Sequence, residues 1–87
     1  MKAMTFDKLI RKEYNYHIEE RGYFDTVTVT GYATTKNGLQ LFFRGYGYNI
    51  TIPYIAAQQL AQNGSVRSLA WQQGSDKQVT VQLIIRK

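Results

Sequence analysis

The segment TVTVTGYATTKNGLQLFFRGYGY, residues 26–48, contains the pattern that decides the fold. Apolar and polar residues alternate on both sides of Lys36, Asn37 and Gly38, which is typical of two strands joined by a tight turn. Asn-Gly favours a two-residue type I′ turn, but that register mixes apolar and polar side chains on each face. A three-residue loop with Gly38 in a G1 bulge separates them, so burial should select it. The apolar face then consists of Val27, Val29, Ala33, Leu39, Leu41 and Phe43.

The opposite face of this hairpin combines aromatic, basic and hydroxyl-bearing side chains. After Arg44, two glycines alternate with tyrosines, which indicates either a tight turn into a new strand or bulges in one bent strand. Ile50 and Ile52 have the wrong parity for the core in a regular strand, so the pattern predicts an irregularity before them. The face carries Thr28, Thr30, Tyr32, Gln40, Phe42, Arg44, Tyr46 and, if the strand continues, Tyr48.

The segments that follow predict one helix and a second hairpin. Pro53 suits the first helical position, the residues after it have high helix propensity, and Gly64 is a stop signal. We therefore expect a helix over residues 53–63. Apolar residues alternate again near the end of the chain, which predicts a hairpin of residues 66–71 and 78–86.

The turn of this second hairpin decides where Trp71 lies. A four-residue turn points Trp71 outward together with Arg67 and Leu69, and a five-residue turn points all three into the core. We favour the core, because tryptophan is highly buried on average.

The N-terminal segment changes from a helical to an alternating pattern. Thr5 is a candidate N-cap for a short helix in which Phe6, Leu9 and Ile10 form the apolar stripe. The alternation that follows predicts a strand over residues 14–20. A continuation of the helix through that strand is the alternative.

These elements predict a single α+β domain over residues 1–87. An antiparallel sheet of about five strands should carry the helix on one face, with the short N-terminal helix besides. The chain has no cysteine, no apolar run long enough for a membrane span, and a charged N-terminus unlike a signal peptide. We therefore expect a cytoplasmic protein with no membrane partner.

The formal net charge of +5 comes from the later part of the chain. Residues 1–25 contain five basic and five acidic residues, whereas residues 26–87 contain six basic residues and one acidic residue. Such a surface attracts polyanions or an acidic protein. Ordinary solubilising charge explains the same composition equally well.

The sequence contains no pattern of an enzyme, a metal site or a cofactor site. His17 is the single histidine. Glu19 would share its strand face, but a zinc site needs about four ligands. The serines lie in no nucleophile motif, and there is no second histidine to act as a base. We expect a non-catalytic protein with neither a cofactor nor a bound metal.

The aromatic and basic hairpin face is the strongest functional signal, and it predicts a binding module. Nucleic-acid bases stack on aromatic rings while Lys and Arg neutralise phosphates, so single-stranded or structured nucleic acid is the preferred partner. The alternative is a protein-binding module or a homodimer through the same face, for example a small phage or mobile-element inhibitor of a host protein. The candidate binding residues are Tyr32, Lys36, Phe42, Arg44, Tyr46, Tyr48, Arg67, Lys77 and Arg86.

Overall fold

Alternating β-branched, aromatic and polar residues form antiparallel strands that close into a barrel. The computed structural model describes residues 6–75 and 77–86, and within them six strands pair in chain order, with the last strand also paired to the first. A closed barrel leaves no unpaired strand edge. The strands are β1 (Glu13–Ile18), β2 (Tyr23–Thr34), β3 (Leu39–Arg44), β4 (Ile50–Ile52), β5 (Ser65–Gln72) and β6 (Gln78–Ile85), and the helix α1 (Tyr54–Asn63) connects β4 to β5.

The prediction of an antiparallel, sheet-dominated fold with one helix is confirmed, but the expected sheet of about five strands is instead a closed barrel of six strands. The sheet closes because β1 pairs with both β2 and β6, and because the short strand β4 joins β3 to β5. Alternation along one strand records which face is buried, but it does not record which distant strand will pair with it. Closure was therefore not visible in the sequence.

The N-terminal segment forms one 3-10 turn, Asp7–Leu9, instead of the predicted short helix. Ile10 is extended, and Arg11 has a φ of 69°, so the chain turns directly into β1. Phe6 and Leu9 are nonetheless buried in the core. The predicted cap, Thr5, lies outside the described residues.

The predicted strand over residues 14–20 is shorter at its end than expected. β1 stops at Ile18, and Glu19–Arg21 forms a second 3-10 turn that Gly22 terminates with a φ of 62°. The two glutamates of that turn reach across to β5 and β6, where they accept hydrogen bonds from Arg67 and Thr80.

The helix α1 forms as predicted and packs on the barrel. Pro53 is its N-cap, and Gly64, with a φ of 78°, donates its N–H to the carbonyl of Leu60 and ends it. Its alanines Ala56 and Ala57 are buried, which allows close approach to the sheet. Among residues 6–75 and 77–86, no helical segment has the length and hydrophobicity that a membrane span requires.

The barrel interior is filled by side chains that point inward at every second position. Phe6, Leu9 and the buried face of α1 join the same core cluster. The strand residues of this cluster are Tyr14, Tyr16, Ile18, Val27, Val29, Leu39, Leu41, Phe43, Ile50, Ile52, Val66, Ala70, Val79, Val81 and Leu83.

The first hairpin has a different register from the predicted one. Thr34 lies opposite Leu39, so the predicted three-residue loop with Thr35 opposite Leu39 is wrong. The physical reason is the hydroxyl of Thr35. It accepts hydrogen bonds from the backbone N–H groups of Asn37 and Gly38 and donates to the carbonyl of Gly38 at 2.7 Å. This local network closes the turn around two residues.

A bulge at Thr30 restores the burial of the apolar residues. The pairing shifts between Val29 and Gly31, so Val29 lies opposite Phe43 while Gly31 lies opposite Phe42. The predicted inward positions of Val27, Val29, Leu39, Leu41 and Phe43 are confirmed, because all five are buried. The predicted inward position of Ala33 is wrong. Beyond the bulge Tyr32 takes the inward position, opposite Leu41, and Ala33 lies opposite the outward residue Gln40.

The second hairpin also corrects an expectation. Trp71 lies opposite Gln78 and Thr51, on the outer face of the barrel, and is half-buried. The expectation that Trp71 belongs to the core is therefore wrong. The alternation along β5 is the one expected for a four-residue turn. In that arrangement Ala70 and Gln72 point inward, and Trp71 points outward.

Gly38 provides a direct test of the hairpin geometry. It has a φ of 153°, and a Cβ at this position would lie 2.1 Å from the carbonyl oxygen of Ile52. We expect Gly38→Ala to lower the free energy of unfolding by about 2–3 kcal/mol, because the backbone of β4 would have to move. Gly47→Ala is the matched control, since no atom lies within 4 Å of its added Cβ. Urea unfolding curves that give equal losses for the two variants would contradict this hairpin packing.

Candidate functional site

The outward side chains of β3 connect two grooves on the barrel surface. Gln40, Phe42 and Arg44 alternate with the buried residues of that strand, so they share the outer face. Successive members stand about 7 Å apart, which is two residues of strand rise. One groove lies at the Arg44 end and the other at the Gln40 end.

The groove at the Arg44 end is basic. Ile10, Arg11, Thr28, Val29, Thr30 and Arg44 enclose a volume of about 500 Å³. Thr28 lies directly opposite Arg44 across β2 and β3. The Thr30 hydroxyl donates to the carbonyl of Phe42 at 3.3 Å. The bulge thus brings two hydroxyls and two guanidinium groups to one groove.

Arg11 reaches this groove because its backbone is held in an unusual conformation. A φ of 69° is uncommon for a residue with a side chain and costs roughly 1–2 kcal/mol. The Arg11 N–H donates to the carbonyl of Val29 at 2.7 Å, and the carbonyl of Lys12 accepts from the Val29 N–H at 3.1 Å. These two bonds fasten the segment to β2 beside Arg44.

The positive charges of the basic groove are not neutralised by the described residues. The salt bridge found within residues 6–75 and 77–86 joins Arg67 to Glu19, so neither Arg11 nor Arg44 has a carboxylate partner there. Both arginines are exposed. The groove can therefore attract an anion without first breaking an ion pair.

The groove at the Gln40 end is uncharged and contains Trp71. Gln40 pairs with Thr51, and Thr51 pairs with Trp71, so the three side chains cross β3, β4 and β5 in one row. The lining is completed by residues from two turns, and the groove has a volume of about 650 Å³. Its lining residues are Thr35, Asn37, Gln40, Thr51, Trp71 and Ser75.

Phe42 lies between the two grooves and is half-buried. Gly31 is its partner across the sheet, and a Cβ there would be 3.4 Å from the ring. The glycine thus leaves the phenyl ring room on the surface of β2. We call the surface formed by Trp71, Gln40, Phe42, Arg44 and Arg11 the outer strip. No acidic residue of the described part of the chain lines either of its grooves.

Two further residues predicted for the site are adjacent in sequence to the uncharged groove. Lys36 precedes Asn37 at the tip of the first hairpin and is exposed. Lys77 is exposed in the turn of the second hairpin, where its N–H donates to the hydroxyl of Ser75 at 3.2 Å. Phe42 and Arg44 are thus the predicted residues on the outer strip, and Lys36 and Lys77 lie in the two turns whose other residues line the uncharged groove.

Tyr32 is not on the outer strip. It lies on the inner side of β2, where its ring meets the edge of Phe6 with centroids 6.0 Å apart. Its hydroxyl donates to Asp7 at 2.6 Å. The N-terminal segment therefore covers Tyr32, which the bulge at Thr30 turned inward.

Tyr46 belongs to an aromatic cluster at one end of the barrel. Its ring contacts those of Tyr16, Tyr23, Phe43 and Tyr48, with centroids 5.2 to 6.2 Å apart. Its hydroxyl also accepts a hydrogen bond from the buried side-chain amide of Gln72. Tyr48 is the exposed member. Tyr46 therefore stabilises the connection between β3 and β4, and Tyr48 lies beside it, outside the two grooves.

The remaining predicted basic residues have partners elsewhere on the barrel. Arg67 forms two hydrogen bonds with Glu19, at 2.6 and 2.8 Å, and this ion pair lowers the pKa of Glu19 to about 2. Arg86 donates to the hydroxyl of Thr26 at 3.2 Å. The structure does not bring either residue to the outer strip.

Sequence reasoning missed Arg11 and misplaced Trp71. Arg11 follows the residues of the predicted short helix, and its contact with β2 depends on a backbone conformation that no local pattern predicts. The position of Trp71 could have been predicted from the length of the turn between β5 and β6, because the four-residue alternative places Trp71 outward as observed.

Within the described residues, no group of three or more His, Asp and Glu side chains could hold a metal ion. Comparison with protein-family models, curated proteins and solved structures finds no match to this chain. Function is therefore inferred from the side chains themselves.

The position of Trp71 can be tested by fluorescence, because it is the single tryptophan. We expect acrylamide to quench most of its emission in the folded protein, since the ring is on the outer face. Emission at short wavelength that resists acrylamide until the protein unfolds would instead place Trp71 in the core.

The aromatic cluster predicts a loss of stability at alkaline pH. Burial raises the pKa of Tyr16, and the neighbouring Tyr46 adds a smaller effect in the same direction. Burial also raises the pKa of Tyr23, and together with the hydrogen bond to Asp25 it brings that pKa to about 12. Tyrosines of an unfolded chain ionise near pH 10, roughly. The associated stability is thus fully present below about pH 10 and is lost as the pH rises towards 12.

Urea unfolding between these pH values should show the midpoint falling as pH rises. Tyr16→Phe keeps the ring and removes one ionising hydroxyl, so it should make this fall less steep. The same slope in the wild type and in this variant would contradict the assignment.

Proposed function

We propose that this protein is a non-catalytic binding module that holds single-stranded nucleic acid along the outer strip. The observation that carries this proposal is the presence, on the outer face of β3 and in the two grooves at its ends, of two aromatic rings and two arginines without carboxylate partners among the described residues. Trp71 and Phe42 supply the rings, and Arg44 and Arg11 supply the charges.

The outer strip offers both kinds of contact that a single-stranded nucleic acid can make, which are stacking of its bases and neutralisation of its phosphates. Unpaired bases expose flat π-faces, and stacking on an aromatic side chain contributes about 1–3 kcal/mol per base. Arg11 and Arg44 neutralise phosphates, while the hydroxyls of Thr28 and Thr30 donate to phosphate or sugar oxygens. A duplex would bury its bases and leave Phe42 and Trp71 without a stacking partner, so a single strand is favoured.

A protein partner is the second candidate, and a different surface favours it. Phe24 is 66% exposed, and Leu69 and Ile84 are about half exposed, on the outer sides of β2, β5 and β6. The ring of His17 lies beside Phe24, with centroids 5.6 Å apart. Contiguous exposed apolar side chains mark protein contacts, and here polar residues of β1 and β6 lie between the three side chains, so the apolar surface is interrupted. Because these residues are off the outer strip, mutations can separate the two functions.

The test is fluorescence anisotropy of labelled single-stranded DNA and RNA at about 50 and 200 mM salt. If the strand contacts two to four basic residues, affinity should fall by about 7- to 50-fold over this range, because each neutralised phosphate releases counterions. Arg44→Gln should weaken binding and make the salt dependence less steep. Phe42→Ala should weaken binding by about 1–3 kcal/mol and leave the salt dependence unchanged.

Arg67→Gln is the matched control, because it removes the same charge from a residue that Glu19 already neutralises. It should bind only slightly more weakly than the wild type, because it lowers the net charge by one unit away from the outer strip. Absence of binding at the lower salt concentration would remove the proposal, and an equal loss in Arg44→Gln and Arg67→Gln would show attraction by net charge without a site. Light scattering of Phe24→Ser beside the wild type tests whether that exposed surface mediates self-association.

A further inference from the structure

The uncharged groove around Trp71 contains hydrogen-bonding groups that the protein itself does not use. Within the described residues, the side-chain amides of Asn37 and Gln40 make no hydrogen bond to protein. The amides of Gln72 and Gln82 differ, since they donate to Tyr46 and Glu19. Asn37 and Gln40 share this freedom with amides elsewhere on the surface, such as that of Gln59, but they are the two amides that line the groove together with Trp71.

The backbone that carries these two amides is hydrogen-bonded to its neighbours. Gln40 is the second residue of β3, and it is paired with β2 on one side and with β4 on the other. Asn37 is at the hairpin tip, where its N–H donates to the hydroxyl of Thr35. The carbonyl of Thr35 in turn accepts a hydrogen bond from the hydroxyl of Tyr54 in α1. A groove on fixed elements binds with little ordering cost.

The composition of the groove indicates which ligand it fits. A half-buried indole ring forms part of its lining, amides and hydroxyls surround it, and none of its described lining residues is charged. At the edge that a base presents in the major groove, side-chain amides form paired hydrogen bonds with adenine, whereas guanine is read by Arg or Lys and cytosine by Glu or Asp. An unpaired base exposes the same edge. Phe42 and Arg44 continue from Gln40 along the same strand, so a base in the groove would have its neighbouring nucleotides on stacking and phosphate-binding side chains.

We propose that the groove is a base-selective pocket in which an unpaired adenine stacks on Trp71 and the amides of Gln40 and Asn37 bind its edge. This inference rests on the proposed binding of single-stranded nucleic acid and adds a preferred base to it. Thr51 and Ser75 border the pocket and limit its size.

The experiment compares labelled homo-oligonucleotides of adenine, cytosine and thymine by anisotropy, with Trp71 emission as a second signal. The adenine strand should bind roughly tenfold or more tightly than the others and should quench Trp71. Gln40→Glu replaces the amide by an acceptor of nearly the same shape. It should move the preference from adenine towards cytosine, whose amino group donates to a carboxylate.

Gln59→Glu is the matched control, because it changes the same group on an exposed position of α1. It should lower all affinities slightly and keep the adenine preference, since it adds one negative charge away from the groove. A preference for adenine that survives Gln40→Glu unchanged would overturn the assignment of Gln40.

The failure of this inference is distinguishable from the failure of the proposed function. Equal, salt-dependent binding of all three strands would overturn base selectivity and leave single-strand binding intact. Absence of binding by any strand at low salt would overturn both. Quenching of Trp71 by neutral oligosaccharides but not by the oligonucleotides would show that the groove takes a polyol and would overturn the adenine assignment.

Discussion

The bulge at Thr30 is the constraint on which the arrangement of this protein depends. The hairpin turn is closed by the hydroxyl of Thr35, and that turn sets a register that would expose Val27 and Val29 if β2 were regular. One extra residue at Thr30 reverses the parity of the strand, so both valines remain buried. The bulge therefore allows both the hydrogen-bonded turn and the burial of the two valines, and it interrupts the pairing of β2 with β3 at one residue.

The same bulge separates structural aromatic residues from exposed ones. Tyr32, beyond the bulge, points inward and packs on the N-terminal segment, whereas Phe42, across from Gly31, stays outside. Thr30 itself is left free to donate to the backbone of β3 beside Arg44. A single irregularity therefore shapes the core and the basic groove together, and any change that removes it should disturb both.

Closure of the barrel explains why a chain of 87 residues can support such a surface. A small domain buries a limited fraction of its surface, so an open sheet would leave unpaired edges and a thin core. Here β4, only three residues long, completes the ring, and Tyr14 and Tyr16 contribute large inward rings to a narrow interior. The outer face is then free to carry side chains that the core does not require, including those that we propose bind a single strand.

Much of this organisation follows from the sequence, and the exceptions have physical reasons. Strand alternation predicted that Phe43 is buried and that Phe42 and Arg44 face outward, because side-chain period is a local property. The positions of Tyr32 and Ala33 were not predictable in the same way. They depend on the turn of the first hairpin, and that turn is set by the hydrogen bonds of the Thr35 hydroxyl. The position of Arg11 beside Arg44 was not predicted, because it depends on a long-range contact with Val29.

The most direct test of the account is the mapping of amide chemical shifts in isotope-labelled protein during titration with a short single-stranded oligonucleotide. Binding along the outer strip predicts that the perturbed amides are those of β3, the Thr28 to Thr30 segment, Arg11, the tip of the first hairpin and Trp71. Perturbations confined to α1, or to the surface around Phe24 and Ile84, would contradict it.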